Sequence, residues 1–252
     1  QTQRRKWSHL YILQQSLFTF EEWLKIGNED RLDLLFSTLD LAPFASKLRS
    51  SSPQGADGFN REAMLRALLA APLEGISTFT ALHWRLKSDI RFRYQWGFCL
   101  TQRISSISTF SRVFNGIVSN NIAEDLFNNL VQQSYQEGII KGNTIAVDST
   151  AIDAYEKKRS KSNAQETGNA AWGAKLDTFG NKITWFGYKI HLTVDTKSEI
   201  PIALNVTPAH VNDGDMGPVL IEQVKTRLHE TKLDYVIMDV GYDQHKNYEA
   251  AR

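Results

Sequence analysis

Hydrophobic positions recur at two different periods along the chain. In the first half they fall three and four apart. Leu32, Leu34, Leu35, Leu39 and Leu41 form one such stretch, ending near Pro43. Met64, Leu65, Leu68 and Leu69 follow Asn60; Phe79, Leu82 and Leu86 follow Gly75; Phe110, Val113, Phe114 and Ile117 follow Ser106 and Ser108. This spacing predicts amphipathic helices, with Asn60 and either serine as N-caps. Residues 51–58 (Ser-Ser-Pro-Gln-Gly-Ala-Asp-Gly) read as a linker. In the second half the period shortens. Residues 144–148 form a β-branched run, read as a buried strand. Phe186, Tyr188, Ile190, Leu192 and Val194 alternate with Lys189, His191, Thr193 and Asp195, which predicts an apolar face and a polar face. Residues 200–207 are a third strand, and the short turn at Thr196, Lys197 and Ser198 makes the two antiparallel. Pro218 suits the first turn of a helix carrying Leu220, Ile221, Val224 and Leu228. Residues 235–239 are a fourth strand. The polar stretch 156–180 lacks either period and reads as a loop.

The pattern therefore predicts an α+β chain, all-helical first and then strand, strand, strand, helix, strand. Its segments are 1–52, a helical region 59–136, and a sheet region 140–252.

Composition narrows this only slightly. The chain has 252 residues, 42% of them hydrophobic and 23% charged, as in ordinary globular proteins. Its one cysteine, Cys99, excludes an internal disulfide and points to a reducing, cytoplasmic setting. Arg4, Arg5 and Lys6 precede an apolar stretch that Gln14 and Gln15 interrupt, so no signal peptide is predicted. No apolar run approaches the ~20 residues of a membrane helix, so no membrane partner is expected.

The formal net charge of +1 gives no global case for a polyanionic partner. Its distribution does more. Arg85, Lys87, Arg91, Arg93, Arg103 and Arg112 face only Asp89 in their stretch, and Lys157, Lys158, Arg159 and Lys161 form a second basic block. The stretch from Asp213 to Glu249 is acidic. Local basic surface can steer a polyanion. Short helices with arginines on their polar faces suit a helix-turn-helix-like reader of duplex DNA; they also suit a plain bundle with a solvated charged face.

Two aspartates, Asp148 and Asp239, each close an apolar strand run. A carboxylate at such a place is costly to bury unless paired or bound to metal. If the two strands are neighbours, both acids leave the same sheet end and can share Mg²⁺, which accepts few carboxylates and keeps positions for water and phosphate. The plainer alternative is that each is a strand-end turn former.

At this point the residues resemble a family. Val147-Asp148-Ser149-Thr150 looks like the first acidic motif of DDE-type transposases from bacterial insertion sequences, and Asp239-Val240-Gly241-Tyr242-Asp243 looks like the second. Gly187-Tyr188-Lys189-Ile190-His191, Asp195, Ile200-Pro201 and the run Thr207-Pro208-Ala209-His210-Val211-Asn212-Asp213 are similar to the family's middle strands. Residues 60–116, with Gly75-Ile76-Ser77 and Ser108-Thr109-Phe110, resemble its preceding helical region. The resemblance implies a ribonuclease-H-like fold, catalytic Asp148 and Asp239 holding Mg²⁺ or Mn²⁺, and DNA cleavage and strand transfer. It implies double-stranded DNA partners, terminal inverted repeats and target, with a homodimer assembled on them. The family's third acid is a glutamate on a later helix; Glu249 lies too close to Asp239 to fill that role, and the expectation is that this chain alone is inactive.

The remaining candidates divide similarly. Lys189 and His191 can reach phosphate from one strand face, or be exposed polar residues with no role. His210, Asp213 and Asp215 have metal-ligand chemistry, or cap the helix before Pro218. Trp84, Phe92, Tyr94 and Trp96 can stack on bases or pack a core, and Trp172 and Trp185 read as packing. Two rival functions stand beside the transposase: a DNA-binding remnant that represses transposition, and a metal-dependent nuclease without strand transfer.

Overall fold

The computed structural model describes Thr19 and residues 31–48, 58–155, 170–176, 179–229 and 231–252. The N-terminal basic patch, the linker apart from Gly58, the second basic block and most of the polar stretch lie outside the described residues. The chain divides into two compact units, Gln1–Ala123 and Glu124–Arg252. That border falls earlier than the 136/140 border drawn from the sequence pattern.

The first unit is helical. Helix α1 (Arg31–Thr38) is followed by α2 (Ala42–Ser46), and Pro43 sits in the first turn of α2 and so begins a helix rather than closing one. In α3 (Arg61–Leu73) the Asn60 side chain accepts hydrogen bonds from the N–H groups of Glu62 and Ala63, as the sequence predicts. Thr78 caps α4 (Phe79–Ser88), and Ser106 caps α6 (Ile107–Ser119). Between them lies α5 (Ile90–Gln95), capped by Asp89, too short for apolar spacing to reveal. Leu41, Met64, Leu65, Leu82, Leu86, Trp96 and Phe110 are buried together with Phe92. Trp96 meets Phe92 and Phe36 at ring-centroid distances of 4.8 and 5.2 Å, so Phe92 and Trp96 are core residues, whereas Trp84 and Tyr94 keep exposed rings.

Helix α7 (Ile122–Gln136) carries Val131 into the core of the second unit, with Phe127 and Tyr135 packed beside it. That core lies on one side of a five-stranded sheet. Its strands are β1 (Thr144–Asp153), β2 (Ala171–Leu176), β3 (Lys182–Asp195), β4 (Pro201–Pro208) and β5 (Tyr235–Met238). Strand β3 pairs antiparallel with β1, β2 and β4, and β1 pairs parallel with β5. Helix α8 (Asp213–Arg227) makes the crossover from β4 to β5, and a 3₁₀ turn (Val240–Tyr242) leads into α9 (His245–Ala251). Three antiparallel strands, a crossover helix and a strand returning beside the first are the topology of a ribonuclease-H-like fold.

Three details depart from the pattern. Strand β1 continues to Asp153 rather than ending at Asp148. Strand β2, pairing Trp172 with Phe186 and Gly173 with Trp185, lies inside the stretch read as a loop. Its Gly173 lets the Trp185 indole lie flat against the backbone, a contact any side chain would block. The third departure concerns the faces of β3. His191, Thr193 and Asp195 are 0%, 0% and 1% exposed and share the α8 side of the sheet with Ile145, Val147 and Ala203. The apolar residues Ile190 and Leu192 share the opposite face with Leu204 and Val206, which remain 40% and 57% exposed. Alternation identifies two faces but does not say which one a helix covers.

Gly187 is the tightest point of the sheet. A Cβ there would overlap the Ile152 carbonyl oxygen and come within 2.7 Å of the Ala154 nitrogen, so only glycine lets β1 approach. Asp195 fixes the other end of β3. Its carboxylate accepts hydrogen bonds from the Gly142 N–H, the Ser198 N–H and the Ser198 hydroxyl at 2.7–2.9 Å. Burial opposes its ionisation, but these bonds outweigh burial and hold the carboxyl below its usual value. Among the described residues no helix is long and apolar enough to cross a membrane.

The Asp195 cluster generates a pH prediction. An unfolded chain binds a proton at the ordinary carboxyl value of about 3.9, whereas the folded chain binds it only at lower pH. The stabilisation is therefore complete above about pH 4 and is lost as pH falls through the folded value. Thermal unfolding followed between pH 6 and pH 2.5 should show the wild type losing stability more steeply below pH 4 than Asp195→Asn. Parallel curves would show that the buried carboxylate contributes nothing to acid sensitivity.

Candidate active site

The parallel pairing of β1 and β5 sets the geometry. Thr144, Ile145, Ala146 and Val147 pair with Tyr235, Val236, Ile237 and Met238. One step further along this register come Asp148, still within β1, and Asp239, the first residue after β5. Val147 and Met238 belong to the core packed against α8, so alternation directs the two aspartates to the opposite face, and both are exposed.

Neither aspartate behaves as a turn former. Asp148 sits mid-strand, with β1 running on to Asp153; one of its oxygens accepts the Ser149 N–H at 2.7 Å. Asp239 occupies the N-cap of the 3₁₀ turn in extended conformation, yet its side chain makes no capping hydrogen bond. Neighbouring acids are engaged. Asp243 accepts the Tyr248 hydroxyl at 2.9 Å, Asp213 binds the Lys189 ammonium at 2.9 Å, and Asp215 pairs with Lys246. Among the described residues the Asp239 carboxylate has no hydrogen-bond or ion-pair partner, and two neighbouring carboxylates could take a hard divalent cation. Among the described residues no group of three or more His, Cys, Asp or Glu side chains is placed to hold a metal ion. Beside Asp239 a concave pocket of about 280 Å³ opens between β5 and α9, lined by Val236, Met238, Tyr242 and Tyr248 among others.

Beneath the pair lies a buried polar cluster that the sequence did not expose. Tyr242 is 2% exposed and part of the core. Burial, then the Asp213 carboxylate, push its hydroxyl far above the ordinary value; the Ser149 side chain pulls the other way, and the carboxylates of Asp148 and Asp239 add smaller upward pushes. One neutral hydroxyl thus senses both candidate acids from the α8 side. The Gly-Tyr-Asp sequence after Asp239 marks the position but not its burial.

Lys189 and His191 are not where a phosphate would meet them. The imidazole is fully buried, bonded through Nε2 to the Thr207 hydroxyl at 2.8 Å, and lies 3.8 Å from Asp213. Burial lowers its pKa, Lys189 adds to the lowering, and Asp213 opposes it. Lys189 is only 14% exposed and donates to the Val211 carbonyl as well as to Asp213. Both face α8, the side opposite Asp148. The Asn212 side chain caps α8, accepting the Gly214 N–H, while Asp213 and Asp215 make ion pairs; the helix-start reading of this segment fits better than a metal cluster.

The six candidate DNA-contacting cations of the helical unit are not equivalent. Arg93 is half-buried and donates to the carbonyls of Cys99 and Gln102, so it holds a loop rather than offering itself to DNA. Arg85 pairs with Asp89 at 3.2 Å and lies over the Phe92 ring. Lys87 lies over the exposed Trp84 ring at 5.0 Å, a cation beside a flat aromatic surface. Arg91 is half-buried, and Arg103 and Arg112 are exposed. Arg112 also lines a cavity of about 520 Å³ together with Lys47 and Arg61.

Comparison with known proteins bears on this arrangement. Residues 140–252 match the model of a transposase DDE domain, and residues 19–116 match that of a transposase domain (DUF772). No curated protein matches the chain. Among solved structures, the Mos1 transposase paired-end complex with left transposon end is similar at 12% identity and a TM-score of 0.24, over 86% of this chain. The Mos1 mariner paired end complex with Mn is similar at 11% identity and a TM-score of 0.26, over 95% of this chain and 67% of that one. The chain spans 62% of the length of the first. With one transposase domain on the helical unit and a DDE domain spanning both aspartates and the sheet that carries them, the chain belongs to the DDE-type transposases.

Proposed function

We propose that the protein acts in metal-dependent DNA cleavage and strand transfer at insertion-sequence ends, with Asp148 and Asp239 as its catalytic acids. The observation that carries this is the position of two carboxylates one step beyond the β1–β5 register, of which Asp239 neither caps its own turn nor meets an ion-pair partner among the described residues. These residues would hold Mg²⁺ or Mn²⁺. When bound, such ions activate an oxygen nucleophile and stabilise the leaving oxygen of a phosphodiester. Asp148 and Asp239 contribute charge and orientation, Asp148 from within β1 and Asp239 from the turn that follows β5. The helical unit supplies contacts to the DNA backbone, and two copies would act together on paired ends, terminal inverted repeats and target being the substrates.

Cleavage in this scheme needs a third carboxylate. Glu249, on α9 one turn beyond His245, pairs with that histidine at 3.4 Å and does not supply it. The 252-residue chain should therefore nick supercoiled plasmid in Mg²⁺ or Mn²⁺ no faster than its Asp148→Asn variant. Nicking above that control would overturn the need for a third acid while leaving the pair in place. Equal nicking well above background would put the activity elsewhere.

DNA binding is tested separately. Affinity of the chain for duplex DNA should fall with salt at a slope of about −0.9 in log K against log salt per phosphate contact. Lys87→Ala and Arg103→Ala should weaken binding and flatten that slope. Arg93→Ala should instead lower folding stability by about 2 kcal/mol, through the loss of charged hydrogen bonds to two carbonyls. Slopes unchanged in the first two variants would identify the cluster as a solvated face.

A further inference from the structure

The turn that follows Asp239 is pinned from below. Its Tyr242 side chain is buried in the core, and the Tyr242 N–H bonds to the Asp239 carbonyl at 3.1 Å. The Tyr242 carbonyl accepts the Gln244 N–H at 2.7 Å and the buried Asn247 side-chain amide at 2.6 Å. Asn247 is itself held against α8: a Cβ on Gly217 would overlap its amide, and one on Gly214 would overlap the Gln244 side chain. These contacts leave the backbone of the turn little freedom to shift.

Above this floor stands the Asp239 carboxylate. A Cβ built on Gly241 would lie 3.1 Å from one of its oxygens and 3.6 Å from the other. The first of these contacts is tight enough that a neighbour must give way by a few tenths of an ångström; the second is ordinary van der Waals contact. Because the turn is pinned by Tyr242 and Asn247, the group that yields is the carboxylate, which no hydrogen bond from the described residues holds.

We infer that Gly241 is a positioning residue for the acid pair: its missing side chain leaves the space in which the Asp239 carboxylate stands beside Asp148. Gly241 touches neither metal nor DNA in this scheme and acts only through Asp239. The inference rests on the reading of Asp148 and Asp239 as a cation-binding pair. It adds a reason for glycine at a position where the backbone angle does not demand one, since Gly241 is absent from the positive-φ glycines.

The test is Mn²⁺ binding by the 252-residue chain, read from the loss of the free-ion electron paramagnetic resonance signal, beside thermal unfolding of each variant. Gly241→Ala should weaken Mn²⁺ binding about tenfold, the lower end of what changes just outside a metal's ligands cost. Its unfolding temperature should stay close to wild type, because the position is exposed. Val240→Ala, next door and 89% exposed, should leave both readouts unchanged. Asp148→Asn and Asp239→Asn should abolish binding. Wild-type affinity in Gly241→Ala, with binding still lost in Asp239→Asn, would overturn the positioning role alone. Equal losses in Gly241→Ala and Val240→Ala would also overturn it, by showing that any change to the turn matters. Binding that survives in both aspartate variants would bring down the acid-pair reading, and the positioning role with it.

Discussion

The site depends on one pairing, the parallel register of β1 with β5. Val147 opposite Met238 is the last rung, and the next residue on each strand is an aspartate. A parallel neighbour requires a crossover connection, and α8 supplies it by packing Leu220 and Val224 against Ile145 and Val147. The hydrophobic contact between helix and sheet thus fixes where two carboxylates on the other face stand. A slip of one residue in β5 would send Asp239 to the α8 side and Met238 out of the core, so burial of the apolar residues enforces the acidic geometry.

The division of labour between the two faces follows. On the α8 side, polar residues of β3 are buried or half-buried and engaged: Asp195 by Ser198 and Gly142, His191 through Nε2 by Thr207, Lys189 by Asp213, while His191 Nδ1 and the Thr193 hydroxyl have no hydrogen-bond partner among the described residues. They lock the strands and the helix start. On the other side Asp148 and Asp239 remain open, among apolar residues such as Ile237 and Val206 that keep large exposed areas. Rigidity on one face and availability on the other is what a metal-binding carboxylate pair requires. Tyr242 connects the two sides, a core residue whose hydroxyl feels Asp213 as well as both acids.

Much of this was legible in the residues. Capping by Asn60 and Ser106 and the hairpin around Ser198 followed from local chemistry, and the motifs around Asp148 and Asp239 pointed to the family. The helix carrying Leu220 and Val224 was legible too, but it starts at Asp213, so Pro218 lies inside it rather than in its first turn. Other features were hidden for physical reasons. Alternation in β3 gives a period of two but no sign, so His191 and Lys189 read as surface residues when they are buried and paired. Arg93 reads as one more cation in a basic run, because its two carbonyl partners lie six and nine residues away in a loop without pattern. The role of Gly241 cannot be read from a backbone angle; it appears only once the carboxylate above it has a position.

The central claim is that Asp148 and Asp239 form one cation site. Crystals of the chain grown or soaked in Mn²⁺, with data collected at the manganese absorption edge, test it most directly. The account predicts an anomalous peak bridging the Asp148 and Asp239 carboxylates, absent in Asp239→Asn crystals. A peak at Asp213 and Asp215 instead, or none near the end of β1, would contradict it.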